Sequence, residues 1–127
     1  MPDSTVLVVD DDPVIRKLLE VNFDMEGFAV LLAHDGEEGV EIARREHPHL
    51  IVSDIMMPKL SGIELVAQLK GDPATSDIPI ILLSAKAQNA DVRGGLDAGA
   101  DDYITKPFEP LDLVDRVNRL LDARRPS

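Results

Sequence analysis

The chain has no cysteine among its 127 residues, which excludes disulfides and thiolate metal sites. It has no tryptophan, one tyrosine and three phenylalanines, few rings with which to sandwich a flavin. Long apolar runs are missing too. Stretches such as Ile78 to Leu83 are far too short to span a bilayer. Residues Met1 to Thr5 lack the basic and apolar start of a secretory signal. The expectation is a cytoplasmic location with no membrane association. Positive charge is scarce: 13 Lys and Arg stand against 24 Asp and Glu, a formal charge of -11. Such a surface repels phosphate backbones, so no direct nucleic acid binding by this domain is expected. An acid excess serves solubility in the simplest case; in the sharper case some of the acids gather at a cation site.

What is present suffices for one core, with 44% hydrophobic and 29% charged residues. One domain is expected over residues 1–123, with 124–127 as a frayed tail or the start of a linker. Val6-Leu7-Val8-Val9 is short, continuous and β-branched, the pattern of a strand buried on both faces. Further strands are expected at Phe28 to Ala33, Leu50 to Ser53, Ile80 to Leu83 and Asp102 to Thr105. Helical spacing fills the intervals. The first helix carries Ile15, Leu18, Leu19 and Asn22, and Gly27 stops it. The second covers Glu37 to Glu46, and the third carries Ile63, Val66 and Leu69. The fourth covers Asn89 to Ala98, and the last puts Leu111, Val114, Val117 and Leu121 on one face. Alternation of this kind implies an α/β fold, a parallel sheet with helices on both faces.

In such sheets function gathers where strands end at their C-terminal edge. Those ends carry Asp10 and Asp11, Asp54, Ser84 and Lys106. Singly, each has an ordinary structural use, as a helix cap or a solvated lysine. Together they form a polar set at consecutive junctions. Asp12 stands apart: it precedes Pro13, a helix-start signal, and is assigned to capping. Clustered carboxylates repel one another unless a cation intervenes. Hard oxygen ligands with places left for water and phosphate suit Mg²⁺. Lys106 can neutralise a phosphoryl oxygen and Ser84 can donate a hydrogen bond to another, the positioning and charge stabilisation that phosphoryl transfer needs.

Four motifs carry a resemblance. They are Val8-Val9-Asp10-Asp11-Asp12, Ser53-Asp54-Ile55-Met56-Met57-Pro58-Lys59-Leu60-Ser61-Gly62, Leu83-Ser84-Ala85 and Gly99-Ala100-Asp101-Asp102-Tyr103-Ile104-Thr105-Lys106-Pro107-Phe108. In combination and order they resemble the receiver domain of two-component response regulators, over essentially the whole chain. The resemblance implies a doubly wound, flavodoxin-like (βα)5 domain with strand order 2-1-3-4-5. It implies that Asp54 is the phosphoacceptor and that Mg²⁺ is the cofactor. Asp11, Asp54 and the Met56 backbone carbonyl would ligate the ion directly, and Asp10 would act largely through a water. Lys106 would pair with the phosphoryl group, and Ser84 and Tyr103 would form the switch. A cis Lys106–Pro107 peptide is expected where the chain turns after the fifth strand. Met56 and Lys86, at positions that tune attack by water in similar domains, are unsuited to orienting it, so slow loss of the phosphoryl group is expected.

The implied partners are a sensor histidine kinase or phosphotransfer protein and a downstream target or output domain, neither of which the residues name. The responding surface would be that of the fourth helix, fifth strand and fifth helix. No output domain follows Leu121, so the chain reads as a stand-alone regulator or a fragment of a longer one. It would be a monomer or a phosphorylation-dependent dimer. Arg116 with Asp101 or Asp102 could supply charge pairs for such a dimer, but Val92 stands where a basic residue is usual. The competing reading is an enzyme: a Mg²⁺-dependent phosphohydrolase resembling the haloacid dehalogenase superfamily, with Asp10 as nucleophile. Asp10-Asp11-Asp12-Pro13-Val14 fits its first motif, but the chain has no room for a cap and would leave Asp54 unused. The receiver reading makes the chain a phosphoacceptor, catalysing only its own phosphorylation and slow dephosphorylation.

Overall fold

The computed structural model describes residues 4–84 and 89–124. The five apolar runs become strands β1 (Thr5–Val9), β2 (Ala29–Ala33), β3 (Leu50–Asp54), β4 (Ile80–Ser84) and β5 (Asp102–Thr105). All pair in parallel, in the order β2-β1-β3-β4-β5. Between them lie α1 (Pro13–Met25), α2 (Gly36–Glu46), α3 (Gly62–Lys70) and α4 (Asn89–Ala98), and α5 (Pro110–Arg124) closes the chain. Alternate strand residues feed opposite cores, as the two-residue period requires. Leu7, Val9, Ile51, Ile80 and Leu82 pack with Val40 and Ala43 of α2 and Leu65 and Leu69 of α3. Val6, Val8, Val52, Ile81 and Leu83 pack with Leu19 and Phe23 of α1 and Val117 and Leu121 of α5. Residues Val6 to Val9 are wholly buried, so β1 is covered on both faces.

Helix starts follow the expected chemistry. The Asp12 side chain accepts from the Val14 N–H at 2.9 Å, with Pro13 in the first helical position, which satisfies an otherwise orphaned donor. Asp35 caps α2 through the Glu38 N–H, and Ser61 and Glu64 form a reciprocal capping box on α3. Gly27 follows α1 with φ 91°, a conformation that costs a residue with a Cβ. The Lys106–Pro107 peptide is cis, as expected.

Two helix faces differ from their reading. Leu111 is 69% exposed, and Leu113 takes its place on the buried side of α5. In α1 the buried residues are Leu19 and Phe23; Leu18 faces outward, and Asn22 spends its amide on the Leu18 carbonyl. Helix α5 runs to Arg124.

Lys86 lies outside the described residues, as do positions 92 and 95 beyond their place in α4. Gly94 is described. A Cβ there would come 3.4 Å from Ile63 Cδ1, an ordinary contact. The packing neighbour that the sequence did not reveal therefore tolerates a methyl group. Gly94→Ala is expected to stabilise the protein by about 0.5–1 kcal/mol, the helix-interior difference between the two residues. It should also slow amide exchange within α4, and unchanged protection there would contradict this.

Candidate functional site

The strand register sets the site. Asp54 ends β3 opposite Leu83, and Ser84 ends β4 opposite Thr105. Asp10 follows β1 directly, with its N–H on the Ala33 carbonyl at 3.1 Å. The sheet thus brings Asp10, Asp54, Ser84 and Lys106 to one edge, where the sequence placed them. Close backbone approach fixes the loop after Asp54. A Cβ on Gly62 would fall 2.3 Å from the Asp54 carbonyl oxygen, so only glycine lets α3 begin there.

Asp10, Asp11 and Asp54 each offer a carboxylate oxygen within 4.8 Å of the others. Asp10 and Asp54 are buried and Asp11 is exposed, which leaves the cluster open to solvent on one side. The Lys106 ammonium sits between the buried pair, 3.3 Å from Asp10 Oδ2 and 3.4 Å from Asp54 Oδ2. Asp10 Oδ1 accepts the Asp12 N–H at 2.9 Å. Asp54 Oδ1 is buried with no hydrogen-bond partner among the described residues. Burial pushes the Asp54 carboxyl above its ordinary range and the Asp10 charge pushes the same way, while Lys106 and the Met56 amide oppose them.

An orphaned buried carboxylate oxygen is costly. Beside two more acids and an opening to water, it is the arrangement a small hard cation would satisfy. The donor set is all oxygen, so Mg²⁺ fits the residues present. The Met56 side chain is exposed, and its backbone N–H is the group that bears on the Asp54 carboxylate.

Ser84 is buried beside this cluster, and its carbonyl accepts the Lys106 N–H. Tyr103 is not part of the cluster. It is partly exposed on β5 and lines a surface pocket with Phe108, Asp112 and Arg116. Arg116 is engaged within its own chain, 3.2 Å from Asp102 and donating to the Tyr103 carbonyl at 3.0 Å. Asp101 pairs instead with Lys70 at 3.1 Å and accepts the Ile80 N–H.

Two contacts near the site were not read from the sequence. Arg16 donates to the Asp10 carbonyl at 2.7 Å. Lys59, at φ 69°, lies 3.6 Å from the buried Asp35 carboxylate. The one available signal was a cation in the first turn of α1, where the helix dipole disfavours it.

Comparison with known proteins places the chain in a family. The family model described as the response regulator receiver domain matches residues 6–118. The phosphate regulon transcriptional regulatory protein PhoB of Pseudomonas aeruginosa is 43% identical over 127 residues, 100% of this chain and 56% of that protein. The DNA-binding dual master transcriptional regulator RpaA of Synechocystis is 42% identical over 116 residues, 91% of this chain and 48% of its own. The chain thus spans about half the length of the curated relatives it matches. Among solved structures, the signal receiver domain of a histidine kinase from Syntrophus aciditrophicus superposes with TM-score 0.91 at 35% identity, covering 98% of this chain and 94% of that one. The receiver domain of a sensor histidine kinase from Pseudomonas aeruginosa, which carries a magnesium ion in its active site cleft, gives TM-score 0.87 at 30% identity over 94% of this chain and 98% of that one. Among the described residues, no helix is long and apolar enough to cross a membrane.

Proposed function

The chain belongs to the response-regulator receiver family, and on that premise we propose that Asp54 is its phosphoacceptor. The observation that carries this reading is the buried, unpartnered Oδ1 of Asp54, within reach of two further acids and with Lys106 at its other oxygen. The donor is a phosphohistidine on a sensor kinase or phosphotransfer protein. The Asp54 carboxylate attacks phosphorus, the P–N bond breaks, and its electron pair leaves with the imidazole, which takes up a proton. The product is an acyl phosphate on Asp54.

The residues divide the work. Asp11, Asp54 and the Met56 carbonyl would hold Mg²⁺, with Asp10 acting through a water. The ion supplies positive charge against the three acids and the phosphoryl oxygens. Lys106 moves its charge onto the incoming phosphoryl group, which is electrostatic stabilisation already in place before reaction. Ser84 donates its hydroxyl to a phosphoryl oxygen. Tyr103, now at the surface, follows inward and changes the face formed by α4, β5 and α5. That face acts on a downstream protein or an output domain. The reading leaves the chain a monomer or a phosphorylation-dependent dimer, located in the cytoplasm. The phosphohydrolase alternative gains no support: Asp10 is wholly buried with both carboxylate oxygens engaged, a poor position for a nucleophile.

The test is transfer from a small phosphoramidate, which should label the protein with Mg²⁺ and fail to do so without it. Asp11→Asn should weaken Mg²⁺ binding about tenfold or more, since even outer-shell changes cost roughly that. Binding should also weaken as pH falls, because the ligands must be ionised. Calorimetric titration giving the same affinity in Asp11→Asn would remove Asp11 from the ion's ligands.

A further inference from the structure

We propose that Arg16 is a positioning residue for the cation site, holding the turn that aims Asp10 and Asp11. This inference rests on the function proposed above. The turn is short: Asp10 ends the β1 ladder, and Asp12 already caps α1. Between them the chain must reverse direction while keeping two carboxylates on one spot. Asp10 is fixed on three sides. Its N–H is bonded to the Ala33 carbonyl, and its side chain takes the Asp12 N–H and the Lys106 ammonium. Its carbonyl is the remaining group, and Arg16 Nη1 closes it at 2.7 Å, the length of a charge-assisted bond.

The choice of residue needs a reason. Arg16 lies in the first turn of α1, where a cation opposes the helix dipole. Among the described residues its guanidinium forms no ion pair, although acids surround the turn. A guanidinium gives a planar, rigid donor set, which suits the fixing of a carbonyl better than a mobile ammonium does. Its bond reaches from residue 16 back to residue 10, across the whole acidic segment. Loss of that bond frees the backbone carrying both Asp10 and Asp11.

Charge and position predict opposite signs, which makes the role testable. A positive charge near the site repels Mg²⁺, so removing charge alone tightens binding. Removing the positional bond loosens it. Calorimetric titration with Mg²⁺ compares wild type, Arg16→Met and Arg16→Lys, each checked for cooperative thermal unfolding. Arg16→Met is expected to raise the Mg²⁺ dissociation constant about tenfold, in the range found for outer-shell changes. Arg16→Lys keeps the charge and loses the planar donor set, so it reports lost positioning alone and is expected to bind Mg²⁺ at least as weakly as Arg16→Met. Equal or tighter binding by Arg16→Met overturns the proposal. So does a lowered unfolding temperature with an unchanged dissociation constant, the mark of a purely structural residue. If Arg16→Met does not fold, Arg16→Lys decides: binding equal to wild type overturns the proposal. No Mg²⁺ binding by wild type would instead overturn the proposed function, and the role of Arg16 with it.

Discussion

Lys106→Met is expected to unsettle the resting protein as well as to stop phosphoryl transfer. Its ammonium is the cation lying between Asp10 and Asp54, both buried. Removing one partner of a buried charge set leaves the others uncompensated, at a cost of about 3 kcal/mol at neutral pH, the lower end of the usual range because Lys106 keeps some contact with water. The pH dependence has a definite sign. The Asp54 carboxyl already titrates above its ordinary value of 3.8, through burial and then the Asp10 charge. The folded state thus disfavours its ionised form, and stability from this group is lost as pH rises through the folded value. Lys106 limits that loss. Without it the carboxyl rises further, so the deficit in Lys106→Met should be greatest near neutrality and shrink toward acid. Urea unfolding of both proteins across that range checks it. A deficit that is constant with pH would place the effect of Lys106 in packing.

Asp54→Asn should do two things that rarely go together: abolish phosphoryl labelling and stabilise the unmodified protein. The amide keeps the shape of the carboxylate but has no charge to desolvate and none to set against Asp10. Burial is the largest influence on Asp54 and outweighs Lys106, so the gain exceeds the lost ion pair. A stabilisation on the order of 1 kcal/mol is expected at neutral pH, opposite in sign to most substitutions. It should vanish below about pH 4, where the unfolded carboxyl is protonated as well. Loss of stability in Asp54→Asn at pH 7 would show that the Lys106 pair dominates the site. Stability stored against function in this way is familiar at sites held ready for a charged reactant.

The two results separate what the sequence conveys from what it conceals. The five strands were legible because runs such as Val6 to Val9 and Ile80 to Leu83 are continuous and largely β-branched, and their C-terminal ends carry the acids. Asp12 could be separated from Asp10 and Asp11 because Pro13 follows it. Strand order came from the family motifs, since no residue pattern states which parallel strands pair. The α5 face was misread at Leu111 because both 111 and 113 fit a helical stripe with Val114, Val117 and Leu121, and only the packed helix shows which of the two is buried. Arg16 on the Asp10 carbonyl and Lys59 on Asp35 were illegible for a different reason. The first joins a side chain of α1 to the turn before it and depends on how that turn is folded, while the second joins two loops whose approach depends on the assembled sheet. The close fit of Gly36 against the Leu60 carbonyl, which would lie 2.1 Å from an added Cβ, is of the same kind.

The most direct test of phosphoryl acceptance is the location of the modified residue. The protein is incubated with Mg²⁺ and a phosphoramidate donor, the acyl phosphate is trapped by borohydride reduction, and the reduced residue is found by peptide mass spectrometry. The expected result is modification at Asp54 alone, dependent on Mg²⁺ and absent from Asp54→Asn. Modification at Asp10, with Asp54 untouched, would contradict it.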